Sequence, residues 1–169
     1  MTDQKLQRIN IAYIDAANLD RSIRAIGWKL DYEKFRVWLS DKFKIQKAYI
    51  FIGLIPKYRD LYTYIQSAGF ILVFKEVIYT KDGNIKGNCD TDLVLQGMED
   101  AYEGNLAKAL LVSSDGDYAS FVKKLKSRDQ LFGILSPSPA NKCSILLKRE
   151  NVRIWDINDQ RAKLELKSK

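Results

Sequence analysis

The residues of this 169-residue chain best suited to chemistry are its aspartates, which fall in three separated stretches. Asp15 closes the apolar run INIAYID, Asp90 and Asp92 lie within KGNCDTDLVLQGME, and Asp115 and Asp117 lie within LLVSSDGDYASFVKKL. The chain contains no histidine, which removes the usual general base, the commonest transition-metal ligand and any Ser/His/Asp arrangement. Its two cysteines, Cys89 and Cys143, form no CxxC pair, so free thiols are expected rather than a zinc ribbon or a disulfide framework. A metal held by this chain therefore has oxygen ligands, which points to Mg²⁺ or Mn²⁺. One aspartate at a strand end is ordinarily a helix cap. Several in one crevice repel and raise one another's pKa, and such a cluster persists when a cation neutralises it. A divalent ion there would acidify a water and steady charge on a phosphate.

These acids depend on the elements that carry them. Short apolar runs predict strands over 9–15, 45–52, 70–75, 107–113 and 131–135, with a short sixth over 152–155. Amphipathic stretches predict helices over 31–41, burying Phe35, Trp38 and Leu39, and over 57–68, burying Leu61, Ile65 and Ala68. Three more are expected over 89–103, over 117–127 with Phe121, Val122 and Leu125 on one stripe, and near 140–149 with Ile145 and Leu146. Asp82-Gly83 suits a tight hairpin after the third strand. The alternation predicts an α/β fold of strand-helix-strand units around a mostly parallel sheet of five or six strands, with helices on both faces; the expected arrangement is doubly wound in order 3-2-1-4-5. In that order strands one and four are neighbours where the winding reverses, the usual ligand crevice, and Asp15 and Asp115 flank it. Gly116 allows Asp117 to turn toward the same cavity. Asp90 and Asp92 diverge by about 200° on a regular helix, so only one leads inward; Asp90 is the first choice and Asp92 the second.

The segments IAYIDAANL, KGNCDTDLVLQGME and LLVSSDGDYASFVKKL, in that order and at those intervals, resemble the NYN domain, a branch of the PIN-like metal-dependent nucleases. The resemblance spans about residues 8–156. It implies the doubly wound fold, one or two Mg²⁺ or Mn²⁺ ions and hydrolysis of RNA phosphodiester bonds. Asp15 and Asn18 match the first motif, Lys86, Asp90 and Asp92 the second, and Ser113, Asp115 and Asp117 the third. The chain departs from the pattern at Gln96, where relatives often have an acid, and at Ser114, where many have glycine; Ser144 falls where relatives often keep a serine facing the crevice.

Supporting residues have two readings each. Asn18 orients a ligand water or substrate oxygen, or serves as a cap; Lys86 meets a phosphate, or stays solvated on its hairpin; Ser113 meets substrate, or satisfies the local backbone. Lys142 is the preferred phosphate contact among the basic residues of the last two helices. Tyr58 and Tyr62 suit base stacking, or packing. The net charge of +7 favours a polyanion, here RNA, single-stranded or structured. A homodimer or a protein partner is a further expectation, with exposed tyrosines such as Tyr58 at the contact. Hydrophobic content of 46% and charged content of 29% fit one globular domain over 1–160 followed by a poorly ordered basic tail over 161–169. No apolar stretch is long enough to span a membrane, and MTDQKLQRIN lacks a leader pattern, so the cytoplasm is expected. Two other classes share the topology. One is a catalytically inactive metal-binding module that binds RNA or acts as a scaffold. The other is a receiver-like phosphotransfer domain, whose acids are spaced differently.

Overall fold

The computed structural model describes residues 7–86 and 88–168. Residues 1–6 of the amino-terminal stretch, Gly87 of the second motif and Lys169 of the tail lie outside the described residues. In chain order the strands are β1 (Ile9–Asp15), β2 (Ile45–Leu54), β3 (Ile71–Glu76), β4 (Ile78–Tyr79), β5 (Ile85–Lys86), β6 (Leu106–Val112), β7 (Leu131–Ser136) and β8 (Ile154–Asp156). Strands β4 and β5 form a separate antiparallel hairpin, closed over residues 80–84 by Thr80 N–H on the Asn84 carbonyl at 2.8 Å. The other six build one parallel sheet in order β3-β2-β1-β6-β7-β8. With the hairpin set aside, this is the expected doubly wound order 3-2-1-4-5 plus the sixth strand.

Among the described residues the strands are accompanied by seven α-helices: α1 (Ala16–Ala25), α2 (Tyr32–Phe43), α3 (Arg59–Ser67), α4 (Asp90–Tyr102), α5 (Ala119–Ser127), α6 (Ile145–Lys148) and α7 (Arg161–Leu164). A central parallel strand is covered on both faces, and β1 is accordingly apolar from Ile11 to Ile14. Its alternate residues serve different layers. Ala12 and Ile14 join Leu110 and Val112 against Leu19, Phe35 and Leu39 of α1 and α2. Ile11 and Tyr13 join Leu111 against Leu93, Phe121, Val122 and Leu125 of α4 and α5. The helices on the two faces thus clamp β1 and β6 from both sides, which fixes the carboxyl ends of those strands in space.

Four expectations are corrected. No element was expected over 16–30, yet α1 begins directly after β1; its large apolar anchors are Leu19 and Ile23, joined by the small Ala16, too sparse an apolar stripe to read. The helix expected near 140–149 is confined to α6, because Ser144 is extended at ψ 136° and the chain turns at Pro139 through the Lys142 and Cys143 N–H groups. Leu147 of α6 is buried, whereas Ile145 and Leu146 face outward. On α3, Tyr62 takes the core position expected of Leu61. The segment from 161 is not a loose tail: Leu164, 1% exposed, packs in the cluster of Trp28 and Leu30. Main-chain bonds tie it down, Asp31 N–H to the Leu164 carbonyl and Leu166 N–H to the Lys29 carbonyl, both at 2.8 Å.

Candidate metal centre

Asp15 is the last residue of β1 and the N-cap of α1. Its Oδ1 accepts the Asn18 N–H at 3.1 Å, and its Oδ2 accepts the Tyr118 hydroxyl at 3.1 Å. Asp115 follows β6, the neighbour of β1. Its N–H donates to Ser113 Oγ at 3.1 Å, and its Oδ1 accepts the Asp117 N–H at 2.9 Å. Asp90 opens α4, oriented by Asn88, whose Oδ1 accepts the Asp90 N–H at 2.8 Å and whose Nδ2 donates to Asp90 Oδ2 at 3.1 Å. One carboxylate oxygen from each of Asp15, Asp90 and Asp115 lies within 4.8 Å of the others. Capping and metal binding are therefore not exclusive, since a carboxylate that caps with one oxygen keeps the second.

Tyr118 is the residue that sequence reasoning missed. It falls on the stripe of Phe121, Val122 and Leu125 and reads as core, and it is 0% exposed. Its hydroxyl reaches Asp90 Oδ1 at 2.8 Å as well as Asp15 Oδ2. A buried tyrosine hydroxyl needs a polar partner, and in SSDGDY the nearest candidates are acids; that was the available signal. One phenolic proton serves two carboxylates here, so it satisfies one charged partner at a time. Burial, and next the Asp15 charge, push the Tyr118 phenol far above its ordinary value. Asp15 itself is raised above the ordinary 3.8, chiefly by desolvation and further by Asp90 and Asp115, while the Asn18 and Tyr118 bonds oppose the shift. Desolvation and the adjacent aspartates also push the Cys89 thiol up to about 11, so it is a protonated thiol near neutral pH and no nucleophile.

A chain of buried side-chain bonds braces the crevice. Asn18 Oδ1 accepts the Ser114 N–H at 2.9 Å and lies 3.1 Å from the Ser114 hydroxyl, whose one proton serves either Asn18 or Ser138. Ser114 Oγ lies 2.9 Å from Ser138 Oγ, which donates to Ser22 Oγ at 3.0 Å. Asn18 is thus a strut between the ends of β1 and β6, and the Ser114 hydroxyl belongs to the brace. Ser144 lies at the third motif: its N–H donates to the Ser114 carbonyl at 3.2 Å and its Oγ caps α6 on the Leu146 N–H. Gly116 passes so close beneath it that a Cβ there would lie 2.4 Å from Ser144 Oγ.

Other expected site residues are not gathered. Asp92 turns away to pair with Lys75 at 3.1 Å, the divergence the helical spacing required. Asp117 is exposed and outside the group of three carboxylates, Lys86 is exposed on β5, and Lys142 is exposed in the turn before α6. Ser113 is fully buried, its hydroxyl taken by the Asp115 N–H. Gln96 serves another group, donating to the buried Asp100 at 3.3 Å while Tyr13 donates to the same carboxylate at 2.7 Å. The three gathered aspartates open into a groove of about 530 Å³ that continues past α1 to Tyr58 and Leu61. Their donor set, carboxylate oxygens with no histidine or thiolate, fits a hard divalent cation.

The fold and the acid cluster define a PIN-like α/β domain. A crystal structure of a protein of unknown function from Vibrio parahaemolyticus is similar to this one, with a TM-score of 0.73 and 22% sequence identity, covering 98% of this chain and 100% of that one. No curated protein sequence matches the chain. The NYN domain family model matches residues 10–152, and the chain belongs to that family of nuclease-like domains. Among the described residues no helix is long and apolar enough to cross a membrane.

Proposed function

We propose that this protein is a ribonuclease dependent on Mg²⁺ or Mn²⁺ that hydrolyses RNA phosphodiester bonds at the carboxyl edge of its sheet. The observation that carries the proposal is the approach of Asp15, Asp90 and Asp115, from three distant segments, to within 4.8 Å through their carboxylate oxygens. A divalent ion held by them would supply positive charge for the phosphate and acidity to a water, in a site that has no histidine to do that work. The chain's own residues set the geometry. Tyr118 spaces Asp15 from Asp90, and the Asn18–Ser114–Ser138 brace keeps the Asp15 and Asp115 segments in register. Ser144 and Gly116 fix the turn that carries Asp115. Asp117 adds negative charge at the rim rather than a direct ligand, and Lys86 and Lys142, both exposed, would meet backbone phosphates.

The test is cleavage of end-labelled RNA by wild type and Asp115→Asn, which keeps the shape and removes the charge. Cleavage that requires Mg²⁺ or Mn²⁺, stops in EDTA and falls by about 100-fold or more in the variant is expected. Undiminished cleavage by Asp115→Asn would refute the assignment. Metal binding by calorimetry with no cleavage of any RNA would favour the inactive binding module instead.

A further inference from the structure

The groove that begins at the aspartates has a second, chemically different half. Beyond Asp15 and Asp90 it is lined by Tyr58, Leu61 and Ile85, with Arg21 and Arg24 along the α1 wall. Tyr58 is 42% exposed, and Leu61 and Ile85 are also among the exposed large apolar residues. Isolated apolar side chains at a surface are ordinary, but these converge on one concavity. Tyr62, on α3 one turn beyond Tyr58, is committed to the fold: its hydroxyl accepts the Ile55 N–H and donates to the Gly53 carbonyl, both at 2.9 Å. Tyr58 makes no such bond among the described residues, and Lys57 Nζ lies 5.0 Å from its ring centroid. Arg24 pairs with Asp20 at 2.8 Å, whereas Arg21 is exposed and has no ion pair among the described residues.

This groove therefore offers exposed apolar side chains, the Arg21 charge beside them, with Asp20 of the lining taken by Arg24, and three carboxylates at one end. An apolar peptide would leave Arg21 unused, and a simple anion would leave Tyr58, Leu61 and Ile85 uncovered. Double-stranded RNA keeps its bases stacked and presents backbone and 2′-hydroxyls, so it cannot fill the apolar half. An unpaired nucleotide matches all three features, with an aromatic base for the apolar surface and an anionic link for the arginine. The cavity volume lies within the roughly 300–1,000 Å³ typical of clefts for ligands of that size. We infer that this groove binds an unpaired base of single-stranded RNA next to the phosphate held at the aspartates, with Tyr58 as the stacking platform and Arg21 as a phosphate contact. The inference rests on the hydrolytic reading of the aspartates, and its test is separable from that reading.

The measurement is fluorescence anisotropy of a labelled, unstructured RNA of about 12 nucleotides, within the span such grooves cover, in Mg²⁺ and in the Asp115→Asn background to prevent cleavage. The same strand in a blunt duplex, and with single abasic positions, is compared. Single strands should bind at least about tenfold tighter than the duplex, and one abasic position should weaken binding more than the others. Adding Tyr58→Ala should weaken single-strand binding about fivefold or more without affecting the duplex. Adding Arg21→Ala should reduce the slope of log affinity against log salt by about 0.7. Equal affinity for single strand and duplex, unchanged binding in the Tyr58→Ala protein, or no RNA binding at all would overturn the inference. If RNA is cut in Mg²⁺ while Tyr58→Ala leaves cleavage and binding unchanged, the hydrolytic reading stands and the groove assignment falls. If single strands bind through Tyr58 and nothing is cut, the reverse holds.

Discussion

Tyr118 shows how much of this site turns on one hydroxyl. It stands between the carboxylates of Asp15 and Asp90 at 3.1 and 2.8 Å, and phenylalanine would fill the same core volume without that proton. Hydrogen bonds to charged partners contribute about 1.5–3 kcal/mol, so Tyr118→Phe should lose stability on that order in metal-free urea unfolding. The loss should shrink in saturating Mn²⁺, which neutralises the same oxygens; a loss independent of metal would separate Tyr118 from the centre. The raised pKa of Asp15 gives a pH prediction. The folded state holds this proton more tightly than the unfolded chain, so the contribution is fully favourable below the unfolded value near 3.8. It is lost as pH rises through the raised folded value. Metal-free stability should therefore decline across that window in wild type relative to Asp15→Asn, as followed by melting temperature. Mn²⁺ affinity should weaken as pH falls through the same window, since proton and cation compete for one carboxylate.

At the scale of elements, the centre depends on how closely helices approach. Gly97 of α4 lies against Phe121 of α5, and a Cβ on Gly97 would sit 2.4 Å from the ring. Gly97→Ala should therefore lift α4 and move Asp90, at a stability cost of about 1–3 kcal/mol for overpacking. Isothermal calorimetry should show weakened Mn²⁺ binding although no ligand has changed; unchanged affinity would mean that α4 can shift without carrying Asp90. The same scale explains what the sequence concealed. Helix α1 has two large buried anchors one turn apart, Leu19 and Ile23, besides the small Ala16, and its cap is Asp15, a residue conspicuous for its charge. Helix α6 is a four-residue piece whose outer face carries Ile145 and Leu146, so its apolar run suggested more helix than the backbone at Ser144 allows.

Across the whole molecule, the carboxyl-terminal segment closes the face that α1 and α2 leave open. Leu164 contacts the cluster containing Trp28 and Leu30, and Leu164→Ala should cost about 2–5 kcal/mol, the range for a buried leucine. Removal of residues 161–169 should cost at least as much in thermal unfolding; no change in melting temperature would show that the segment is dispensable. The net charge of +7 belongs to this scale too, because it is spread over the surface while the centre is acidic. Under the proposed function, long-range attraction would gather RNA, and a cation held by the aspartates would offset their repulsion of a phosphate.

The sequence by itself determined the sheet and its winding. Buried parallel strands must be apolar on both faces, and INIAYID and LAKALLV show that pattern without any structure. The expected order 3-2-1-4-5, which the sheet has once the hairpin is set aside, also put Asp15 and Asp115 at neighbouring strand ends; alternation alone is equally compatible with other doubly wound orders. Only the tertiary structure decided between Asp90 and Asp92, sent Asp117 to the rim, and brought Tyr118, Ser114 and Ser138 into the centre. Those choices depend on where a side chain points after helices pack, and periodicity records which face is buried but not what a buried hydroxyl meets there.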